Sequence, residues 1–446
     1  MNRIPTPLLL ALGLALPAKA QLTHTLDSTI VTIDLVVDSD RVDIPWEILL
    51  GPDQGLWMTD RNRIIRWDPV SDVIDTMGVR PYGNGLGMAF HPLFPQVPQV
   101  FAVFDTSTYY AGGQLCEIVR FDHDPFLDTL INDTVLLAYP HFGEHSGGRL
   151  LFDGIGKLLC TTADYWPAFD TLGYRMGKVL RMNTDGSVPA DNPTADHTWT
   201  RGHRNPQGLC ALPNGNIIVS EHGMPSDELN LIVPGIDHGW PVWDGVGCTN
   251  ILPDSCLSST YITEDPLAIY FHPPSGIEHY PHAAIPEFTD KAITCVLWQQ
   301  GLVTFGFTGT YDSVTVVERF DGGGFQDLGR IRDLAVHPDG SIYFITNDRQ
   351  EARIRRMYRN IGTGMRDRAT GSVALWPNPA TDIIHLRADA PIGAIVLIDA
   401  LGRPVPALVH RSGNAATLVT EGLARGAYVL RIQQDDGVLV ERMLLQ

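Results

Sequence analysis

The chain has 446 residues, of which 44% are hydrophobic and 19% are charged. This composition allows a large buried core and argues against a disordered chain. The formal net charge of −19 at pH 7 argues against a nucleic-acid partner or an anionic membrane surface, because both require a basic face.

The first twenty residues have the form of a secretory signal peptide. Arg3 precedes an apolar run from Leu8 to Leu16, and the small residues Ala18 and Ala20 suit cleavage before Gln21. The apolar run is too short to span a bilayer, and no later stretch is long enough. We therefore expect residues 1–20 to be a signal peptide, no membrane span, and export through the periplasm.

Six cysteines are too few for a disulfide scaffold in an exported chain of this length. Cys248 and Cys256 bracket a loop with Pro and Asn, and a local disulfide between them would fit. The remaining four are expected to be buried small hydrophobes in strand-like runs: Cys116, Cys160, Cys210 and Cys295. No CxxC motif or Cys/His cluster in the sequence indicates zinc.

A strand–turn–strand unit recurs through residues 28–359. Clear copies lie at 49–59, 150–160, 209–219 and 334–344, and two looser copies lie at 88–104 and 293–307. Each joins two apolar runs by a polar turn that usually carries Pro, Asp or Asn with Gly, which is typical of a hairpin. The irregular spacing predicts a six-bladed β-propeller with insertions, whose loops meet around one central opening.

The chain changes character after this repeat. Residues 360–372 are Gly-rich and polar, which is typical of a linker, and residues 373–446 show compact strand patterns. The sequence therefore predicts an all-β fold, a six-bladed β-propeller followed by a small C-terminal β-sandwich.

The C-terminal segment resembles the type A sorting domain of the type IX secretion system. The resemblance rests on Pro377-Asn-Pro-Ala-Thr-Asp382, on the turn from Asp399 to Arg403, and on Leu423-Ala-Arg-Gly-Ala-Tyr428. It implies that the type IX machinery is a partner and that the protein is secreted or held at the cell surface. The alternative is a small β-sandwich that binds a ligand such as carbohydrate.

His145 is the first candidate site residue. It lies in a polar, Gly-rich entry into a strand, and an imidazole can accept a proton near neutral pH. Asp164 follows the same predicted hairpin, so its carboxylate can approach the imidazole and fix its tautomer. The alternative is a hydrogen-bonded structural histidine.

Two further stretches place polar side chains in turns. Arg204 and Asn205, within Gly202-His-Arg-Asn-Pro-Gln-Gly208, offer a planar cation and an amide for an anion or quinone oxygen, or else a salt bridge between blades. The loop from Glu221 to Asn230 is a candidate calcium site or a solvated acidic turn.

Arg330 and Arg332 alternate with Ile331, so they share one face of a strand. Two cations on one face require an anion between them or acids beside them, and Asp327 and Asp333 are the nearby acids. The sequence contains no GxSxG, HExxH or phosphate-binding loop, which removes the commonest hydrolase and nucleotide-binding functions.

A series of motifs in residues 40–358 resembles the glucose/sorbosone dehydrogenase family, six-bladed propellers that use pyrroloquinoline quinone (PQQ) and calcium to oxidise sugars. The shared motifs are Pro45-Trp-Glu47, Gly51-Pro-Asp53, Asn84-Gly-Leu-Gly-Met-Ala-Phe-His-Pro92, His145 with Gly148-Arg-Leu150, Gly202-His-Arg-Asn-Pro-Gln-Gly208, Glu221-His-Gly223, Asp227-Glu-Leu-Asn230, Gly239-Trp-Pro241 and Arg330-Ile-Arg-Asp333.

The resemblance implies a role for each candidate. His145 would be the general base, oriented by Asp164, and Arg204 with Asn205 would contact the quinone oxygens. The other implied contacts are Arg330, Arg332 and Gln299 with PQQ, and the backbone carbonyls of Gly223, Met224 and Pro225 with calcium.

The chain departs from the family pattern at three positions. Gln299 stands where the family has a lysine that contacts the cofactor, and Met224 separates the Gly and Pro of the metal loop. Gly83 stands where the family has a glutamine near the sugar. A second hypothesis is therefore a non-catalytic propeller that binds sugar or protein, and a third is a calcium-dependent propeller lactonase. The identity of the sugar and of the electron acceptor cannot be read from these residues.

Overall fold

The structure, a computed structural model, describes residues 21–106, 115–141, 145–164, 175–249, 251, 256, 264–298, 300–325, 328–347, 352–360, 373–393, 395–399, 404–405, 407–434 and 437–446. Its elements are strands, with short 3-10 helices at Pro286–Phe288 and Gly323–Phe325, so the predicted all-β class is confirmed. The chain divides into two compact units, residues 1–359 and 360–446. The predicted signal peptide, and the predicted linker apart from Asn360, lie outside the described residues.

No helix among the described residues has the length and apolar character needed to cross a membrane.

Among its described residues the first unit contains six antiparallel sheets of four or five strands, numbered here along the chain. Sheet 1 contains Pro45–Leu50, Leu56–Asp60, Arg63–Asp68 and Val73–Val79; sheet 2 contains Asn84–Phe90, Gln99–Asp105, Leu115–Asp124 and Thr129–Pro140; sheet 3 contains Leu150–Phe152, Leu158–Thr162, Lys178–Met182 and Thr198–Arg201. Sheet 4 contains Pro206–Ala211, Ile217–Glu221, Asp227–Leu231 and Ala268–Tyr270; sheet 5 contains Pro274–Tyr280, Lys291–Val296, Gly301–Phe307 and Val314–Asp321; sheet 6 contains Ile331–Val336, Ile342–Thr346, Arg353–Arg359, Ile30–Val37 and Gln21–Thr25. A two-strand ribbon pairs Trp243–Asp244 with Gly247–Cys248.

The repeated hairpins form where the sequence predicts them. In sheets 4 and 6 the turns are closed by hydrogen bonds from Leu212 N to Asn216 O (2.8 Å) and from His337 N to Ser341 O (2.9 Å). Gly215 and Gly340 occupy these turns with φ of 90° and 80°. Residues other than glycine rarely adopt this left-handed backbone conformation, which explains the Asn-Gly and Asp-Gly pairs of the repeat.

The first strand of each sheet contacts the first strand of the next, and the strand Ile331–Val336 of sheet 6 contacts Pro45–Leu50 of sheet 1. The sheets therefore form a closed ring. Sheet 6 is shared between the two ends of the unit, because Ile30–Val37 pairs antiparallel with Arg353–Arg359. Val31 and Ile33 are fully buried in a hydrophobic cluster with Phe344 and neighbouring side chains, which stabilises this closure.

A buried ionic network joins the inner strands of the ring. Arg149 forms salt bridges with Glu47 of sheet 1 and with Asp333 of sheet 6, the latter at 3.0 Å. Arg149 Nε also donates to the carbonyl of Gln207 in sheet 4 at 3.0 Å, and Ile48 N donates to the Asp333 carboxylate at 2.9 Å. One guanidinium thus ties together three sheets besides the segment that carries it.

The structure confirms what the sequence predicts for four of the six cysteines. Cys116, Cys160, Cys210 and Cys295 are buried and unbonded, as predicted. Cys248 and Cys256 form a disulfide with their Cα atoms 5.8 Å apart.

The second unit contains two further sheets. Sheet 7 contains Val373–Trp376, Ile383–Ala388, Ala415–Val419 and Leu408–Ser412, and sheet 8 contains Pro404–Val405, Ile395–Ile398, Gly426–Gln434 and Gly437–Leu445. Leu386 and Leu418 of sheet 7 share one hydrophobic cluster with Leu430 and Ile432 of sheet 8. This unit therefore has a core of its own.

Replacing Arg149 is expected to destabilise the first unit strongly. The Arg149→Leu variant leaves the carboxylates of Glu47 and Asp333 buried without their cation, which should cost about 3–5 kcal/mol of unfolding free energy. Urea denaturation followed by tryptophan fluorescence measures the change. Arg41→Leu is the control, because Arg41 pairs with Asp72 near the surface and should cost about 1 kcal/mol or less. Similar losses in the two variants would contradict the prediction.

Candidate active site

A cavity of about 480 Å³ lies where the strand ends and loops of sheets 3 to 6 converge. Its lining residues are His145, Asn205, Gln207, His222, Pro273, Pro274, Leu297, Trp298, Arg330 and Arg332. The ring thus brings together His145, Asn205, Arg330 and Arg332, which the sequence proposed from three separate stretches. Gln299, also proposed, lies outside the described residues.

His145 and Asp164 are hydrogen-bonded, with Nδ1 and Oδ1 3.1 Å apart. Local sequence explains the approach: a Cβ on Gly147 would lie 2.7 Å from Thr161 O, so glycine lets the 145–149 segment lie against the strand that leads to Asp164. With Nδ1–H donating to the carboxylate, Nε2 is the acceptor nitrogen. This arrangement suits a general base. His145 is partly exposed and lines the cavity.

Trp240 holds the other oxygen of the same carboxylate, since its Nε1 donates to Asp164 Oδ2 at 2.9 Å. The Trp240 ring also lies beneath the Arg204 guanidinium, 5.4 Å from its Cζ. Sequence reasoning did not assign Trp240 a role, although the residue belongs to the Gly239-Trp-Pro241 motif. One indole therefore positions both the carboxylate and a neighbouring cation.

Arg204 lies beside the cavity and does not line it. Its Nη1 donates to His222 O at 3.0 Å, and its Nη2 lies 3.8 Å from the Met224 sulfur. Within the described part of the chain its guanidinium forms no salt bridge, so the alternative of a pairing between sheets finds no support there. The Arg204 side chain is positioned against the loop that follows Glu221.

Arg330 and Arg332 both face the cavity. Arg332 Nη1 donates to Gln207 Oε1 at 3.2 Å, while the Nε atoms of both arginines are buried and have no hydrogen-bond partner among the described residues. Burial and the charges of Arg330 and Arg149 lower the pKa of Arg332 to about 9. The cavity wall therefore carries positive charge that an anionic ligand would stabilise.

Of the two acids near this pair in the sequence, the structure describes Asp333. The Asp333 carboxylate bonds to Arg149 and to the backbone of Ile48, and Asp327 lies outside the described residues.

Gln207 connects the two arginine-bearing stretches. It accepts from Arg332 and donates from Nε2 to Asn205 Oδ1 at 2.9 Å. Gln207 is not among the residues that the sequence predicts at the site, although it belongs to the Gly202-His-Arg-Asn-Pro-Gln-Gly208 motif. The available signal was its position two residues after Asn205, because side chains two apart in an extended segment point to the same side.

His222 supplies a second imidazole to the cavity, with its ring centre 6.4 Å from that of His145. Burial, with the charges of Arg204 and His145, lowers the pKa of His222 to about 4. His222 is therefore neutral at physiological pH and can only donate or accept hydrogen bonds. In the sequence, only the position of His222 before Gly223 indicated that it belongs to the site.

The Gly223–Pro225 loop is held from behind by carboxylates. Asp244 accepts from Met224 N at 2.5 Å and from Ser226 N at 2.9 Å. A Cβ on Gly223 would lie 1.8 Å from Ser226 O, so only glycine fits there. The tight turn is thus fixed by its backbone contacts.

Acids gather behind this loop. Burial raises the pKa of Glu221 to about 8, of Asp227 to about 7 and of Glu228 to about 8. Carboxylates kept partly neutral in this way would be stabilised by a cation, and carbonyl and carboxylate oxygens are the ligands that calcium prefers. The donor set fits a hard divalent ion.

The chain is similar in sequence and in structure to known sugar dehydrogenases. Quinoprotein glucose dehydrogenase B of Acinetobacter calcoaceticus is 36% identical over 249 residues, 47% of this chain and 52% of that protein. Aldose sugar dehydrogenase YliI of Escherichia coli is 29% identical over 359 residues, 74% of this chain and 94% of that protein. The PQQ-bound aldose sugar dehydrogenase of Streptomyces coelicolor is similar in structure, with a TM-score of 0.61 over 77% of this chain and 99% of that one, at 24% identity.

Family models match both units. Residues 374–446 match the secretion system C-terminal sorting domain, which points to secretion or export to the cell surface. Residues 42–356 match the glucose/sorbosone dehydrogenase model. The neighbouring structures share the all-β propeller fold of this group. The chain therefore belongs to the glucose/sorbosone dehydrogenase family.

Proposed function

We propose that the protein is an exported dehydrogenase that oxidises the C1 hydroxyl of an aldose to a lactone, with PQQ as the hydride acceptor and calcium beside it. The observation that carries the proposal is the cavity in which unpartnered arginine nitrogens lie near a His145–Asp164 pair. We interpret the six sheets as the blades of a six-bladed propeller over residues 28–359.

The residues present fit PQQ, a planar quinone that carries three carboxylates. Arg330 and Arg332 would bind carboxylate oxygens through Nε atoms that have no hydrogen-bond partner among the described residues, and Asn205 with Gln207 would offer amide groups. Gln299 would add an uncharged contact where the family resemblance implies a lysine. When bound, PQQ supplies the oxidant, since its quinone takes up the hydride from the sugar.

The loop behind Arg204 fits calcium. The carbonyls of Gly223, Met224 and Pro225 would be its protein ligands, and the buried acids Glu221, Asp227 and Glu228 would favour a cation there. Asp244 would hold the loop in place through its two backbone contacts. Met224 therefore changes a side chain in the loop without removing the carbonyl groups.

His145 would accept the proton of the sugar C1 hydroxyl at Nε2 while the C1 hydrogen leaves as hydride and the C1–O bond becomes a carbonyl. Asp164 would keep the proton on Nδ1 and stabilise the imidazolium that forms. Trp240 would stop the carboxylate from rotating away. Arg204 and Asn205 would stabilise negative charge that develops at the oxidant.

His222 would not compete for the proton, because its environment keeps the imidazole neutral. A calcium-dependent lactonase is less well supported, since the described lining of the cavity contains arginine and histidine but no carboxylate.

We propose that export uses the type IX secretion machinery, with residues 1–20 as signal peptide, residues 360–372 as linker and residues 373–446 as a sandwich-like sorting domain. The match to a sorting-domain model and the separate core of the second unit support this. The physiological electron acceptor stays unassigned.

The proposed base predicts a clear loss of activity. The mature full-length chain is mixed with PQQ, calcium and a panel of aldoses, and reduction of an artificial dye is followed. His145→Ala should lower kcat by about 10²–10⁴-fold, because a general base contributes about that much, while PQQ still binds. His385→Ala, in the second unit, is the matched control and should keep full activity. Failure of the wild-type chain to bind PQQ at micromolar concentration would overturn the proposal and favour a non-catalytic propeller.

The proposed cofactor contacts predict a change in PQQ affinity. Arg332→Leu should weaken binding by about 10- to 100-fold, because a hydrogen bond to a charged group contributes about 1.5–3 kcal/mol. Calorimetric titration with PQQ measures the dissociation constant. Arg356→Leu removes an arginine that pairs with Asp339 away from the cavity and should leave the constant unchanged. Equal affinity in Arg332→Leu and wild type would contradict the assignment.

The proposed metal loop predicts dependence on calcium. Treatment with a chelator should abolish dye reduction, and added calcium should restore it. Gly223→Ala should prevent this recovery at calcium concentrations that suffice for the wild type, because the new Cβ cannot fit against Ser226 O. Gly154→Ala is the control, since a Cβ at Gly154 meets nothing within 4 Å. Activity that survives chelation would argue against calcium in the reaction.

A further inference from the structure

A second group of metal-ligand side chains lies outside the cavity, at one end of sheet 2. Asp105, Cys116 and His141 each offer one ligand atom, and the three atoms lie within 4.8 Å of one another. Among the described residues, no other group of three His, Cys, Asp or Glu side chains meets this condition. The group plays no part in the proposed dehydrogenase chemistry.

The strand register explains why these side chains meet. Asp105 lies opposite Cys116, and Cys116 lies opposite Tyr139 on the next strand. His141 lies one residue beyond the strand Thr129–Pro140, and its Nε2 is 2.9 Å from Asp105 Oδ1. Two ligand atoms therefore come from neighbouring strands, and the third comes from the residue that follows the next strand, at the same end of sheet 2.

The environment of the group suits a transition metal. Cys116 is fully buried, His141 is 2% exposed, and the Asp105 side chain is 18% exposed. A thiol, an imidazole and a carboxylate form a mixed donor set that zinc binds well and calcium does not. Because Asp105 is the most exposed of the three, the open coordination position would face solvent on its side.

The hydrogen bonds of His141 match those of a metal ligand. Its Nε2 lies 2.9 Å from Asp105 Oδ1, at the side where the other ligands converge, and its Nδ1 lies 3.4 Å from Ser146 Oγ. Histidines that bind a metal through one nitrogen usually donate from the other to an oxygen, which fixes the ring. Ser146 is positioned to accept that bond.

A cysteine binds a metal ion as the thiolate. A divalent ion would replace the thiol proton, and binding would release that proton to the solvent. The other buried free cysteines, such as Cys210, belong to no group of this kind among the described residues.

We propose that Asp105, Cys116 and His141 form a binding site for one zinc-like transition metal ion, with three protein ligands and one open position. The site is separate from the calcium loop and does not depend on the proposed function. Through Ser146, which precedes Gly147 in the segment that carries His145, the ion would tie the end of sheet 2 to the wall of the cavity. Its role would be structural.

The test uses the mature full-length chain, treated with a chelator and free of PQQ, and titrates it with cobalt(II). One cobalt ion per chain should bind and give a thiolate-to-cobalt charge-transfer band in the near ultraviolet. Cys116→Ser should remove the band, and Asp105→Asn should keep the band but weaken binding by about 10-fold or more. Cobalt bound to the cavity imidazoles would give no thiolate band.

Cys210→Ser is the matched control, because it also replaces a buried free thiol, and it should bind cobalt as the wild type does. Circular dichroism verifies that each variant is folded. Zinc titration by calorimetry in two buffers should show release of about one proton per ion from the wild type and none from Cys116→Ser. Absence of the thiolate band in the wild type, or its persistence in Cys116→Ser, would overturn the proposal and leave Asp105 and His141 as an ordinary hydrogen-bonded pair.

Discussion

The buried salt bridges of Arg149 join the inner strands of the ring and also engage an acid that lies next to a cavity arginine in the sequence. Asp333 is adjacent in sequence to Arg332. In the folded ring the Asp333 carboxylate bonds to Arg149 and to the backbone of Ile48. A contact that stabilises the centre of the fold thus takes up this carboxylate, and the arginines of the cavity wall remain suited to an anionic ligand.

The same cavity holds two imidazoles with different neighbours. His145 bonds to a carboxylate that Trp240 fixes, whereas His222 lies near Arg204 and is kept neutral. The nearby guanidinium opposes protonation of His222. The two imidazoles therefore differ in what holds them: a fixed carboxylate orients His145, and burial beside a cation keeps His222 neutral.

Features that depend on neighbouring residues could be predicted from the sequence. The Asn-Gly and Asp-Gly turns predict the hairpins because the left-handed conformation almost requires glycine, and the position of Asp164 at the end of its hairpin predicts its approach to His145. Arg330 and Arg332 both line the cavity, as their spacing of two residues predicts. Each of these inferences needs only neighbouring residues or one hairpin.

Contacts between distant segments could not be predicted from the sequence. The bond of Trp240 to Asp164, the place of His222 beside His145, and the meeting of Asp105, Cys116 and His141 depend on strand register or on the approach of separate loops. The diversion of Asp333 to Arg149 depends on the closure of the ring. A search for Cys/His spacing along the chain cannot find a cluster that is assembled across three strands.

Sheet 6 joins strands from the two ends of the first unit, which also constrains the order in which the unit can fold. The strand Ile30–Val37 has its inner partner only in Arg353–Arg359, more than three hundred residues later in the sequence. A chain that emerges from the ribosome or from a translocation pore therefore presents this strand with an unpaired edge until nearly all of the unit has followed. The ring is completed by late, long-range contacts, and this pairing is one of them. Exported copies would need protection from association with other strands during that interval.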